Sequence, residues 1–471
     1  MKTPKFNRMD QDFAPSRKPF FNRPHWTRRQ FFQIAGTGLT GSYLVQRYAR
    51  AAEVMPSGVT TQNTAQNVIF ILLAGAPSHV DTFDLKFQSG VTPDAFAPAT
   101  INGIAFPTGL LPGLAQQLQN NNFSIVRSMR SHALVHSLAQ TWTQIGRNPA
   151  AALGNIAPNI GSVVAIEKDS QRLPGQVFPT FLALNSPSGV GQGYFSAQFA
   201  PFRVIPSTNG LPDTILPGDT TGAPGGLFDT RWSLLHQLDD PLRVNSPYGQ
   251  PLNDYNNFYL SARDLMYNPV VNQAFKFASA DHTRYGATSF GDACLIAKQV
   301  LAANQGTRFI QITVGGWDMH QNIYTPNQLP GLGKQLDTAV SQLISDLQSA
   351  GLFNETLVFM AGEFGRTVGQ LTPAKGRDHY PQQFAFFAGG GIKGGQAIGQ
   401  TNSDGSDTVD FGWSQQRYVY PEDIEATIYS ALGIDWTTVR QDDPLHRGFA
   451  YVPDTDPVQY APINELWPPG S

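Results

Sequence analysis

The sequence predicts an α/β fold, with a doubly wound, mostly parallel sheet and helices on both of its faces. Two observations support this prediction: short β-rich runs are apolar on both faces, and they alternate with segments of helical periodicity. Several of these runs stop abruptly at glycine and then present Asp, His, Glu or Arg. Ligands of open α/β sheets bind beyond the carboxyl ends of the strands, so we expect a functional site there.

The individual elements follow from local patterns in the chain. The apolar runs that predict strands are Asn67–Leu73, Phe123–Arg127, Phe309–Val314, Thr356–Met360 and Phe384–Ala388. The segments that predict helices lie near Leu111–Leu118, after His136, and over Gly286–Leu301, Gly333–Gly351 and Glu422–Leu432. In the fourth of these, apolar residues recur every three or four positions, and Gly351 provides a carboxyl-terminal stop.

The 471 residues predict one large domain with additional segments. We expect a signal peptide over residues 1–51, a flexible linker over 52–66 and a single α/β domain over 67–467. Residues 148–255 are rich in Gly, Pro, Asn and Ser, which predicts a loop-rich insertion in that domain.

The first 51 residues predict a twin-arginine export signal. Arg28 and Arg29 precede two aromatic residues, the short apolar segment Ile34–Val45 and a small-x-small cleavage pattern at Ala49-Arg50-Ala51. The alternative is a chance arginine pair before a surface helix. We expect a periplasmic or secreted protein that contacts the twin-arginine translocase during export, because the apolar segment is too short for a permanent membrane span.

The charge balance argues against nucleic-acid binding. The first 51 residues hold ten of the 32 basic and two of the 35 acidic residues, so their removal leaves 22 and 33, a net charge of −11. Such a chain has no basic surplus with which to displace the counterions of phosphate groups. No later apolar run reaches the length of a membrane span without charges or breakers, so we expect no permanent span.

Two further features have a structural and a functional interpretation. The single cysteine, Cys294, lies on a predicted helix face and is interpreted as a buried structural thiol rather than a nucleophile. One cysteine also excludes an intramolecular disulfide framework. The glycine run Gly389–Gly395 could cradle a phosphate, but no helix start follows it, and a tight turn is the favoured interpretation.

Four side chains after predicted strands suggest a divalent metal site. Asp318 and His320 are two apart in an extended loop, so both point to the same side. Glu363 follows the next strand, and His379 lies in a loop soon after it. Imidazole and carboxylate groups together are ligands for zinc, manganese or calcium. Asp81, after the first strand, is a further candidate ligand.

The candidate catalytic residues are His132, His136 and Arg366. The two histidines follow the second predicted strand and, four residues apart, would share one face of a helix. Arg366, like Arg377, could bind a phosphate or sulfate oxyanion, or could pair with a carboxylate. A nucleophile is not identified, because no serine near a strand end has a Gly-x-Ser-x-Gly signature.

The motifs resemble a known bacterial family. Leu-Ala-Gly-Ala-Pro-Ser-His-Val-Asp, Gly-Gly-Trp-Asp-x-His, Gly-Glu-Phe-Gly-Arg-Thr and Gly-Arg-Asp-His-Tyr-Pro occur in one order, together with the twin-arginine leader. They resemble the family called domain of unknown function 1501, from about Asn67 to Leu466. That family is similar to the alkaline phosphatase and sulfatase superfamily, so the resemblance implies metal ligands at strand ends and hydrolysis of phosphate or sulfate esters.

The chain departs from the superfamily at three positions. The first strand ends in Gly75 rather than a metal-binding Asp, Phe364 stands in place of a ligand histidine, and the spacing of Asp318 and His320 is short. His379 fits the last ligand histidine. The resemblance thus implies one metal site rather than a full two-metal site.

Two functions are therefore expected. The first is an exported metal-dependent hydrolase of phosphate or sulfate esters, acting on a small-molecule or polymeric anionic ester. The alternative is a catalytically degenerate alkaline-phosphatase-fold protein that serves as a binding or cell-envelope assembly component.

Overall fold

The computed structural model describes residues 59–208, 227–243, 265, 268–453 and 459–469. The predicted signal peptide, residues 1–51, and much of 209–264 lie outside the described residues. Within the described residues, no helix combines the length and apolar character that crossing a membrane requires.

The described residues form strands and α-helices in alternation, with short 3-10 helices between them. The strands are β1 Asn67–Leu73, β2 Pro98–Ile101, β3 Ile104–Pro107, β4 Phe123–Arg130, β5 Phe181–Leu184, β6 Phe202–Val204, β7 Phe309–Val314, β8 Thr356–Ala361, β9 Gly365–Arg366, β10 His379–Tyr380, β11 Gln382–Gly389, β12 Ala397–Ile398, β13 Gln400–Thr401, β14 Thr408–Asp410, β15 Val439–Arg440 and β16 Phe449–Ala450. The helices are α1 Pro112–Gln119, α2 His136–Ile145, α3 Ile160–Lys168, α4 Leu227–Arg243, α5 Pro269–Phe275, α6 Ser279–Arg284, α7 Ser289–Ala303, α8 Leu329–Ser349 and α9 Pro421–Ala431. The 3-10 helices are His79–Asp81, Asp94–Phe96, Gly154–Ile156, Asp169–Gln171, Ala197–Phe199, Phe353–Glu355 and Asn464–Leu466.

Eight strands form one central sheet in the order β12-β4-β11-β8-β1-β7-β5-β6. All neighbours pair in parallel except β11, which is antiparallel to both β4 and β8. The prediction of a mostly parallel sheet is confirmed. Because β11 runs the other way, its amino-terminal end lies at the same edge as the carboxyl ends of β1, β4, β7 and β8.

The sheet is covered on both faces, as the sequence predicted. Every residue of β1 is buried, and its side chains alternate between two apolar cores. Ile69 and Ile71 belong to the core that contains buried residues of α1, α7 and α8. Val68 and Phe70 belong to the core formed with α3 and α9. Apolar burial on two faces explains why the strand sequence shows no polar alternation.

Two predicted boundaries differ from the structure. Three residues of the predicted linker belong to the folded unit. The backbone N–H groups of Asn63, Ala65 and Gln66 donate to the carbonyls of Ser430, Ala431 and Glu355 respectively. Residues 148–208 of the predicted insertion supply α3 and the sheet strands β5 and β6. That part is integrated into the core, because parallel pairing to β7 satisfies its backbone despite a composition typical of loops.

Cys294 and the glycine run lie where the sequence suggested. Cys294 is fully buried in α7, and burial raises the pKa of its thiol. Gly389, Gly390 and Gly391 all have positive φ angles, 65°, 59° and 74°, and end β11 in a tight turn. Residues other than glycine would be strained at three consecutive positions with positive φ.

Gly75, just after β1, permits a close approach between two loops. Its φ is +106°, and a Cβ at this position would lie 2.6 Å from the Asp318 backbone nitrogen and 2.9 Å from that of Trp317. Neither backbone atom can move without displacing the loop after β7. Only glycine therefore allows the β1 and β7 loops to meet at the edge of the sheet.

We expect Gly75→Ala to lower the free energy of unfolding by more than about 3 kcal/mol, because both the φ angle and the backbone contacts oppose a Cβ. The matched control is Gly369→Ala, which also has a positive φ, +69°, but has open space around the Cβ position. The control should cost about 1 kcal/mol. Urea unfolding measures both, and equal losses would refute the close approach.

Candidate metal centre

Four side chains from separate segments meet at the edge where the strands end. Asp318 and His320 follow β7, His136 begins α2 after β4, and His379 lies in β10 just before β11. Each offers one potential ligand atom, and these four atoms lie within 4.8 Å of one another. They are the only such group of three or more His, Cys, Asp or Glu residues within the described parts of the chain. The reversed direction of β11 is what brings His379 to this edge.

The distances within this group are those of ligands around one ion. Asp318 Oδ1 lies 2.9 Å from His320 Nε2, 3.1 Å from His136 Nε2 and 3.8 Å from His379 Nε2. His320 Nε2 and His379 Nε2 are 3.1 Å apart. Two ligand atoms bound at about 2.1 Å to a tetrahedral ion would be about 3.4 Å apart.

Each of the three histidines is oriented through its other ring nitrogen. The Nδ1 partners are the Glu363 carboxylate for His136 at 2.6 Å, the Asp378 carboxylate for His320 at 2.9 Å and the Leu134 carbonyl for His379 at 2.7 Å. All three partners are hydrogen-bond acceptors, so each Nδ1 carries a proton. In the neutral imidazole, each Nε2 then presents a lone pair. Metal-bound histidines show this second contact almost always.

The positions of the histidine Nε2 atoms favour a bound cation. The Nε2 atoms of His320 and His379 are within hydrogen-bond distance, but two lone pairs cannot bond to each other. His136 Nε2 is shielded from solvent and has no hydrogen-bond partner among the described residues. Burial, together with the charge of Arg366, holds the pKa of His379 below its ordinary value, which favours the neutral ring that a metal requires.

The formal charges around the group also favour a cation. Asp318, Glu363 and Asp378 carry three negative charges, and Arg366 supplies one positive charge. Glu363 is fully buried, and His136 is the only ionisable group to which it is hydrogen-bonded among the described residues. A divalent ion would balance the remaining two charges, whereas a buried carboxylate without a cation is costly.

Glu363 lies beside the ligand group rather than in it. Its oxygens accept hydrogen bonds from the backbone N–H of Gly75 at 2.9 Å and from the Gln140 amide at 2.8 Å, in addition to the His136 ring. All three of these contacts are to Oε1, Oε2 accepts only from Gly75 at 3.2 Å among the described residues, and the carboxylate contributes no atom to the group around Asp318. The contacts give Glu363 the role of orienting His136, whereas the sequence suggested that Glu363 would be a ligand.

Arg366 holds Asp318 and has little capacity left for a substrate. Its buried guanidinium donates to Asp318 Oδ1 at 2.6 Å, to the Ala76 carbonyl at 2.9 Å, to the Arg377 carbonyl at 3.2 Å and to the Gly75 carbonyl. Burial opposes ionisation of Asp318, but the hydrogen bond and the charge of Arg366, together with the nearby His136 and His320, outweigh it and lower the pKa of that carboxyl. Of the two interpretations of Arg366, the structure supports the carboxylate partner.

Asp81 and Arg377 form a separate buried ion pair. Arg377 Nε donates to Asp81 Oδ2 at 2.8 Å, and the hydroxyls of Ser78 and Tyr324 donate to the same carboxylate at 2.6 and 2.8 Å. Asp81 is thus occupied and contributes no atom to the group around Asp318. Arg377 is occupied as well, which argues against its alternative role in oxyanion binding.

His132 and His136 do not share a helical face, so that prediction is wrong. The helix begins at His136, and Val135 before it has extended φ and ψ angles, −111° and 121°. His132 instead stacks between Trp142 and Tyr420, with ring centroids 4.6 and 4.2 Å away. Its Nε2 lies 3.1 Å from Glu422 Oε2. His132 therefore lies in an aromatic sandwich with its own carboxylate partner.

The family described as "Protein of unknown function (DUF1501)" matches residues 65–445. The chain belongs to this family. The match contains every residue of the group around Asp318. No curated protein matches the chain.

Solved structures include distant likenesses to this DUF1501 chain. A PsFucS1 sulfatase from Pseudoalteromonas sp. is 12% identical with a TM-score of 0.39, covering 79% of this chain and 68% of that one. A phosphonate monoester hydrolase of Agrobacterium radiobacter is 10% identical with a TM-score of 0.38, covering 79% and 74%. The lipoteichoic acid synthase LtaP from Listeria monocytogenes is 12% identical with a TM-score of 0.35, covering 84% and 79%. Likenesses this distant do not bear on activity.

We expect Glu363→Gln to lower zinc affinity by about 10–100-fold, because an amide cannot accept from His136 and Gly75 as the carboxylate does. Competition with a chromophoric chelator measures the affinity. The matched control is Glu355→Gln, at an exposed glutamate in the 3-10 helix before β8, which should leave it unchanged. Unchanged affinity in Glu363→Gln would show that His136 is not oriented as described.

We expect Asp81→Asn to lower the free energy of unfolding by about 3 kcal/mol, because it leaves the buried Arg377 without its partner. Zinc stoichiometry of the folded variant should stay the same. The exposed Asp94→Asn serves as the control for stability. A loss of zinc with unchanged stability would make Asp81 a ligand and contradict the contacts described above.

Proposed function

We propose that this protein is an exported, metal-dependent hydrolase of phosphate or sulfate esters. The observation that carries the proposal is the convergence of three histidine Nε2 atoms and Asp318 Oδ1, each His ring being oriented by an acceptor at Nδ1. Export is proposed from the twin-arginine pattern of residues 1–51, with the translocase as a transient partner and the periplasm or exterior as the destination.

The ligand set favours zinc, with manganese as the next choice. Three imidazole nitrogens and one carboxylate are typical of zinc sites, and imidazole is a ligand for several transition metals. Calcium prefers a shell of oxygen atoms, so the three nitrogens argue against it. Four protein ligands fill a tetrahedral zinc shell, so water or substrate would enter as a fifth ligand. When bound, such an ion polarises an ester oxygen and makes water a better nucleophile.

The site is open enough for a substrate to reach it. The side chain of Asp318 is 46% exposed and that of His320 is 40% exposed. Asp378, which orients His320, is 61% exposed. The orienting groups Glu363 and Arg366 are buried. One side of the group is thus fixed by the protein interior while the other is accessible to an anionic ester.

Water is the attacking group that best fits the neighbouring side chains. The Ser78 hydroxyl donates to Asp81 Oδ2, and the Ser131 hydroxyl donates to the Ala133 carbonyl at 2.9 Å. Thr82 donates to the Ser78 carbonyl at 2.7 Å. These engagements argue against Ser78, Thr82 and Ser131 as nucleophiles.

The same engagements favour a second candidate function. A protein that keeps the cation site and lacks a protein nucleophile could serve as a binding or cell-envelope assembly component. The two functions differ in one respect that can be measured: only the hydrolase turns over an ester.

We expect the purified zinc- or manganese-loaded protein to hydrolyse an aryl phosphate or an aryl sulfate. His379→Ala and Asp318→Ala should each lower kcat/KM by at least about 100-fold, because each removes a ligand atom. The matched control is His446→Ala, an exposed histidine, which should keep full activity. Absence of turnover with the metal bound would leave the binding function, and activity in the ligand variants would refute the site.

A further inference from the structure

A cleft of about 500 Å³ lies beside the candidate metal centre. One wall is α2, through Ser137, Gln140, Thr141 and Gln144, and the other comes from residues 154–157 and 189–193. The same helix begins with the candidate ligand His136. The Gln140 amide N–H donates to Glu363, so a single side chain contacts both the cleft and the carboxylate that orients His136.

The lining of this cleft is uncharged and combines polar side chains with three apolar residues and four glycines. Among the described residues that line it, none is charged and none is aromatic. The Ser137 hydroxyl, the Asn155 amide and the Gln140 amide oxygen have no side-chain hydrogen bond to other described residues. These groups offer both donors and acceptors.

The walls are held in place by a dense set of hydrogen bonds. The Arg203 guanidinium donates to the carbonyls of Ser186, Ser188, Gly189 and Val190 and thereby fixes the second loop. The two loops are joined where Tyr194 donates its backbone N–H to the Ile156 carbonyl at 3.0 Å. Because the wall is already ordered before a ligand binds, binding does not incur the entropy cost of ordering it.

A chain of hydrogen-bonded side-chain amides connects helix α2 to the central sheet. Gln311 of β7 donates to the Gln144 amide oxygen at 2.9 Å, and Asn159 donates to the Gln311 amide oxygen at 3.0 Å. Gln144 in turn donates to the Gln140 backbone carbonyl at 2.9 Å. The cleft is therefore tied to β7, the strand that precedes Asp318 and His320, and its position relative to the candidate metal centre is fixed by the sheet.

We propose that this cleft binds a neutral polyhydroxylated group, a sugar or cyclic polyol, whose ester is presented to the metal centre. Hydroxyl groups need closely spaced donors and acceptors without net charge, which is what the lining provides. A nucleobase would lack an aromatic partner for stacking, a second anionic group would lack a cation, and a lipid chain would meet few apolar side chains. This assignment of the substrate rests on the proposed function.

The test is direct binding of neutral sugars to the full-length folded protein. The probes are the methyl glycosides of glucose, galactose, mannose and N-acetylglucosamine together with myo-inositol, followed by ligand-observed NMR titration. We expect at least one to bind, and Thr141→Trp, which fills the cleft, to weaken that binding by at least about tenfold. The matched control is Gln116→Trp, at an exposed position of α1.

A second variant separates a filled cleft from a disturbed helix. Asn155→Ala removes one polar side chain from a loop and should weaken the same sugar by several-fold, while the unfolding transition stays unchanged. Binding by no probe, or binding that both cleft variants leave unaltered, overturns the proposal. Stronger binding of an alkyl chain, a nucleoside or inorganic phosphate in the cleft overturns it as well.

The outcome is distinguishable from that of the proposed function. Sugar binding needs neither turnover nor a bound metal, so binding without ester hydrolysis supports the cleft assignment and removes the hydrolase. Hydrolysis of aryl esters without any sugar binding supports the hydrolase and removes the cleft assignment.

Discussion

The backbone of Gly75 holds Glu363 and Arg366, the two side chains that orient the candidate ligands His136 and Asp318. Its N–H donates to Glu363, which orients His136, and its carbonyl accepts from Arg366, which holds Asp318. This arrangement requires the β1 loop to touch the β7 loop, which only a glycine at this position permits. Gly75 has no side chain that could take part in a reaction, yet its position sets the spacing of the candidate ligands.

The ligand atoms are fixed from the inside of the protein outward. Buried Glu363 and Arg366 determine the direction of His136 and Asp318, and the pairing of β9 with β10 aligns the backbones of Arg366 and His379. The exposed side chains of Asp318 and His320 and the uncharged cleft lie on the solvent side of the group. Because the orienting groups are buried and part of the ligand group is exposed, the site could hold a cation firmly and still exchange a substrate.

Much of this could be predicted from the sequence, and the failures have physical causes. Short apolar runs ending in glycine located the strands. The sequence also placed Asp318, His320 and His379 at strand ends, and the structure brings these three residues together because strand ends meet at one edge. The pattern could not say that Glu363 would orient a ligand rather than be one, since that depends on which groups reach its oxygens. It also misjudged His132, because a four-residue spacing implies a shared face only where a helix has begun, and α2 begins at His136. Leu134 gave no signal at all, because its contribution is a backbone carbonyl.

The most direct test of the central claim is a crystal structure grown with zinc, with diffraction data recorded above and below the zinc absorption edge. The account predicts one anomalous peak bounded by the Nε2 atoms of His136, His320 and His379 and by Asp318 Oδ1, at about 2.0–2.2 Å from each. No peak at this position in zinc-saturated crystals, or a peak coordinated by other residues, would contradict it.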